Sequence, residues 1–136
     1  MPVGIKVGSI TDEIGTSDFF HAFYSTVRGR LEDRRGERFP SLMNLYSGRL
    51  SCEQASTALI ELADIRLGLA AFTPDRVIWD IDDRTKVPPW GSDISPDITN
   101  LSHYFVTSTG RDLIDVLQEA LEASHDEQQT AEIVRY

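Results

Sequence analysis

Asp80, Asp82 and Asp83 are the densest group of oxygen donors in the chain, and the first place to look for chemistry. Carboxylates this close together suit Mg²⁺ or Ca²⁺, hard cations that take oxygen ligands. The run does not continue as a calcium loop, because Arg84 and Lys86 follow and no glutamate stands at the closing position. On a strand, Asp80 and Asp82 would share one face and Asp83 would turn away. Two plainer roles compete with metal binding: a solvated strand end, and a negative patch for a basic partner.

The remaining reactive side chains are scattered. His21, His103 and His125 stand alone, with no His-x-x-x-His or Cys-x-x-Cys spacing to suggest zinc. His21 lies within an aromatic helical stretch and reads as helix surface rather than as a general base. Cys52 falls just after a helix cap, with no neighbour to mark it as a nucleophile. Gly4, Gly8 and Gly15 do not form a dinucleotide fingerprint, and no Gly-Lys-Ser/Thr cradle occurs. The sequence therefore assigns no catalytic residue, no metal and no cofactor. Trp90 is different in kind. It stands in a proline-stiffened polar loop, where an aromatic loses little entropy on binding, and tryptophan is enriched at interface hot spots. Its competing role is to fold back as a lid on the core. Asp80, Asp82, Asp83, Trp90 and Asp93 are the candidate partner contacts.

The elements that must position these residues follow from periodicity. Val3, Ile5 and Val7 alternate with Gly4, Lys6 and Gly8, a period-two strand running to Ile10 with one side short of bulk. Ser17 is placed to cap a helix whose Phe19, Phe20, Phe23, Tyr24, Val27 and Leu31 form one aromatic-rich face. Gly36 and Pro40 punctuate its end, and a short strand or turn spans Leu42 to Tyr46. Ser51 with Gln54 has the form of a capping box. The helix behind it carries Ala55, Ala58, Leu59, Leu62, Ile65 and Leu69 on one face, and Thr73-Pro74 closes it.

Residues 76–82 read as a strand with a wetter face, and residues 83–94 as a loop. Ser95-Pro96-Asp97 reads as a short helical turn. Residues 103–107 read as a further strand. Thr109 to Asp112 opens a helix that buries Leu113, Val116, Leu117, Ala120 and Leu121. The tail, from about residue 125, either adds an edge strand through Thr130–Tyr136 or stays loose. The expected fold is α+β: one domain over 1–136, a mostly antiparallel sheet packed with about three helices, its strand order unreadable.

At 136 residues, with 40% hydrophobic and 26% charged side chains, the chain can build a core and is not globally disordered. A net charge of −9 opposes contact with nucleic-acid phosphates and suits a basic partner or plain solubility. The charge is uneven: residues 111–136 carry −5, while Arg28, Arg30, Arg34, Arg35 and Arg38 make residues 28–38 net +2. One cysteine allows no internal disulfide, and neither a signal-peptide pattern nor a membrane-length apolar run is seen. The expected location is the cytoplasm, away from membranes.

Three stretches together resemble immunity protein family seventy of bacterial polymorphic toxin systems. They are Val3-Gly4-Ile5-Lys6-Val7-Gly8-Ser9-Ile10, then Val77-Ile78-Trp79-Asp80-Ile81 with Pro88-Pro89-Trp90-Gly91, and Tyr104-Phe105-Val106-Thr107-Ser108 with Gly110-Arg111-Asp112-Leu113. The resemblance runs from about Pro2 to the last long helix and leaves residues 28–38 and the tail after Ser124 unmatched. It implies a small cytosolic protein, encoded beside a toxin, that binds the toxin domain and blocks it without catalysis. It supplies neither contact residues nor the toxin's activity. Two other classes stay open: a metal-dependent enzyme built on Asp80, Asp82 and His103, and a homo-oligomeric adaptor whose tail strand pairs between chains.

Overall fold

The computed structural model of the chain describes residues 2–31, 38–91 and 94–135. Strand β1 (Pro2–Val7) buries Val3, Ile5 and Val7 and leaves Pro2 and Lys6 exposed, the alternation its sequence dictates. A two-residue hairpin turn at Gly8-Ser9 follows, with Gly8 at φ +61°, a left-handed value that glycine adopts without steric cost. It leads into β2 (Ile10–Thr16), which pairs antiparallel with β1. The sequence reading stopped at Ile10 because Thr11-Asp12-Glu13 shows no apolar alternation. As an edge strand, β2 buries only Ile14, and its charged side chains protect the open edge.

Helix α1 (Ser17–Arg30) is capped by Thr16 rather than Ser17; the Thr16 hydroxyl accepts from Phe19 N–H at 3.1 Å. Phe19, Phe20, Phe23, Tyr24 and Val27 are buried as the spacing predicts, and Leu31 packs partly against the same core. Gly36 lies outside the described residues. Pro40 does not end an element but begins one. Helix α2 (Pro40–Ser47) replaces the expected strand or turn through Leu42–Tyr46, since proline suits the first helical turn and Leu42 and Leu45 share a buried face. It is the helix that brings the total among the described residues to four. Its N-terminus has no side-chain cap of its own. Instead the buried Glu61 reaches across and accepts from Ser41 N–H at 3.2 Å and Leu42 N–H at 3.1 Å.

After β3 (Arg49–Leu50), helix α3 (Cys52–Leu69) starts at Ser51 as expected, though no side-chain capping bond forms there. It ends at Leu69, ahead of Thr73-Pro74. Helix α4 (Leu113–Glu127) begins at Asp112, whose carboxylate accepts from Ile114 N–H at 2.9 Å, and it buries every residue the spacing named. Gln128, at φ 58°, turns the chain back into β4 (Ala131–Arg135).

The sheet order is β2-β1-β4-β3, antiparallel throughout. The tail is therefore neither loose nor an edge. β4 sits inside the sheet, pairing with β1 from Val3 to Val7 on one side and with β3 on the other. Its charged Glu132 and Arg135 make it look peripheral in sequence, yet Ala131 is fully buried. This arrangement also occupies most of the backbone that the adaptor reading would have left for pairing between chains. Side chains of β1, α1, α3 and α4 meet in one apolar core with Phe105 and Leu101 from the connection between α3 and α4.

That connection, residues 70–112, holds the largest departures from expectation. No strand forms at 76–82 or 103–107. The segment runs through short 3₁₀ turns at Pro74–Arg76 and Leu101–His103, and among its described residues one bridge joins Val106 to Asp112. Ser95-Pro96-Asp97 is a turn in which Ser95 Oγ accepts from Asp97 N–H. At residues 76–82 the reason lies on α1: the amides of Ile78 and Ile81 find their acceptors in its side chains instead of in a neighbouring strand. At 103–107 the chain bonds back to its own next turn, Thr107 N–H to Arg111 O and Leu113 N–H to Phe105 O.

Candidate functional site

Along α1, beside the buried aromatic face, runs a stripe of small and polar residues: His21, Ser25 and Gly29 at spacings of four, with Thr26 next to it. Thr26 Oγ1 accepts from Ile78 N–H at 3.0 Å and lies 2.8 Å from Ala22 O and 3.2 Å from Ile78 O. Ser25 Oγ accepts from Ile81 N–H at 3.0 Å. At Gly29 a methyl group would fall 2.2 Å from Ile78 Cδ1, so the loop approaches where the helix has no side chain. Arg30 Nε donates to Arg76 O at 2.9 Å. The loop is thus laced to the helix along about two turns, which explains how a segment without regular structure holds one shape.

This lacing brings Asp80 and Asp82 to His21. His21 Nε2 lies 3.0 Å from Asp80 Oδ1 and 3.8 Å from Asp82 Oδ2, while its Nδ1 meets the hydroxyl of Tyr46 on α2. Asp80 Oδ1 also accepts from Asp82 N–H at 2.9 Å, and Lys86 Nζ stands 3.5 Å from the other oxygen. The hydrogen bond from His21, helped by the Asp82 amide, holds the Asp80 carboxyl below the usual range. Burial, then the nearby Asp82 charge, pushes the Tyr46 phenol up. Asp83 turns away, accepting from Thr85 N–H at 3.1 Å and from its hydroxyl, which lowers its carboxyl as well.

Trp90 does some of each thing expected of it. Its ring meets Trp79 edge-on at 5.3 Å and its Nε1–H donates to Tyr104 Oη at 2.8 Å, yet 39% of the residue stays exposed. Asp93 lies outside the described residues. Within the connecting segment, beside Arg30 at the end of α1, opens a cleft of about 680 Å³ lined by Ile78, Trp79 and Tyr104 and by Arg30, Arg84 and Lys86. Burial, then repulsion from Arg84 and Arg76, lowers the Arg30 guanidinium. The face expected to be acidic is therefore mixed: Asp75 and Asp80 line the cleft together with Arg30, Arg84 and Lys86.

His103 does not join the aspartates. Its Nδ1 sits 3.3 Å from Asp112 at the start of α4, so the grouping of Asp80, Asp82 and His103 behind the metal-enzyme reading is not formed. That grouping relied on two strands that do not exist. Cys52 Sγ lies 3.9 Å from Gln128 Oε1, at the far end of α4.

The profile of the family described as Immunity protein 70 matches residues 5–133. The chain belongs to this family. It is an immunity protein of toxin systems. No curated protein and no solved structure matches it. The match takes in the second half of β1, the laced loop and the first residues of β4, including residues after Ser124 that the sequence resemblance left out. Among the described residues, no helix of this immunity protein is long and apolar enough to cross a membrane. The sequence reading missed His21, Tyr46 and Arg30 as members of the loop site. The signal in the sequence was faint: small and polar residues four apart on α1, a stripe that looks the same whether water or a loop lies against it.

Proposed function

We propose that this immunity protein neutralises its cognate toxin by stoichiometric occlusion, without catalysis of its own, and that the connection between α3 and α4 is the surface that does it. One observation carries the reading. A long segment with little regular structure is fastened to α1 while holding Val87 at 70%, Trp90 at 39% and Val106 at 44% exposure. Long loops of this kind inside compact domains are usually functional. A preorganised loop also loses less entropy on binding than a mobile one. In this reading Trp90 is the anchor, and Asp82 and Asp83 meet cationic groups of the toxin. Asp80 braces the loop through His21 and Lys86. Asp93 is a contact candidate from its place in the sequence alone.

The test is co-expression with the toxin encoded beside it. Growth should be restored and the two chains should co-purify at one to one. Growth arrest despite abundant soluble protein, or rescue without a complex, rejects occlusion.

A further inference from the structure

We propose that His21, Asp80 and Asp82 form a binding site for a zinc-class divalent cation, independent of the toxin. One donor atom from each residue lies within 4.8 Å of the others. The His21 Nε2 separations of 3.0 Å from Asp80 and 3.8 Å from Asp82 are close to those of atoms sharing one ion. Tetrahedral ligands about 2.0–2.2 Å from zinc stand about 3.3–3.6 Å from each other, a range that the two His21 separations bracket. Closing round an ion needs His21 and Asp80 to part slightly and Asp82 to move in, and the Asp82 side chain, 83% exposed, has room to do so.

The supporting contacts are arranged as a metal site needs. Tyr46 engages Nδ1 of His21, which fixes the ring and directs Nε2 at the carboxylates; ligating histidines ordinarily have such a partner on the second nitrogen. The Asp82 amide holds Asp80 in place. Lys86 stands on the Asp80 oxygen remote from His21, and at 59% side-chain exposure it can swing clear. One imidazole and two carboxylates favour zinc-class ions over Mg²⁺ and Ca²⁺, which prefer all-oxygen sets. Three protein ligands leave a fourth position for water. The ion would add a further fastening between α1 and the loop, joining those of Ser25, Thr26 and Arg30.

The test is calorimetry on the metal-free full chain with ZnCl₂, MgCl₂ and CaCl₂ in turn. One zinc per chain is expected, with no comparable uptake of the other two ions. Asp82→Asn should weaken zinc at least about tenfold, as should Tyr46→Phe through loss of the orienting contact. Asp83→Asn, on the same loop but facing elsewhere, should leave affinity unchanged. His21→Gln should abolish uptake; if that variant fails to fold by circular dichroism, Asp82→Asn carries the result. Absence of stoichiometric zinc uptake overturns the proposal. So does uptake that survives Asp82→Asn and is removed by replacing His103 or His125.

Discussion

Thr26→Val tests the idea that α1 side chains, and not strand pairing, hold the loop. Valine matches threonine in shape and is buried as readily, so packing is preserved and only the hydroxyl is lost. Thr26 is fully buried, and its Oγ1 is the hydrogen-bond partner of Ile78 N–H at 3.0 Å. Without it that amide has no acceptor in a dry site, and the Ile78 carbonyl loses the hydroxyl 3.2 Å away. A buried donor left unsatisfied costs about 1–3 kcal/mol, so about 2 kcal/mol is expected here. For a domain of this size that lowers Tm by roughly 8 °C. Urea denaturation gives the free energy, and amide hydrogen exchange shows where the loss falls. Ile78 and Ile81 should exchange faster while α4 keeps its protection, since a loop can open without global unfolding. Thr26→Ser should recover most of the loss, because the hydroxyl returns. A Thr26→Val protein within about 0.5 kcal/mol of wild type, with the Ile78 amide as protected as before, would refute the reasoning.

Glu61→Ala should destabilise by about 2–3 kcal/mol in urea titrations, because the N-terminus of α2 loses both acceptors, and Glu61→Gln by roughly half as much. Asp112→Ala removes the cap of α4 and should cost about 1 kcal/mol, read from thermal melts. Trp90→Ala should weaken toxin binding by about 2 kcal/mol, roughly thirtyfold in Kd, with a smaller change in Tm. Equal affinity in that variant would remove the loop tip from the interface.

Much of the fold was legible in the sequence because periodicity reports burial. The face of α1 from Phe19 to Leu31, the buried positions of α3 and α4, and the alternation of Val3, Ile5 and Val7 all follow from which side must leave water. The motif order pointed to the family that the chain's profile match establishes over residues 5–133. Periodicity failed where burial was set by a distant element. Val77, Trp79 and Ile81 alternate like a strand, but α1 supplies the hydrogen bonds, so Ile78 is the residue that is buried. The tail became an inner strand because β3 came to lie on its far side, a pairing across more than eighty residues that short-range pattern cannot express.

The sequence by itself determined the core: which helix faces turn inward, that strands and helices combine, and that Asp80, Asp82, Asp83 and Trp90 fall in one polar, proline-containing stretch. Only the tertiary structure decided that His21, some sixty residues away, meets Asp80, and that His103 does not. The physical reason is that apolar burial is periodic along one chain segment, whereas a polar site is made by convergence. Convergence depends on how α1, α2 and the loop pack, and no local pattern records that geometry.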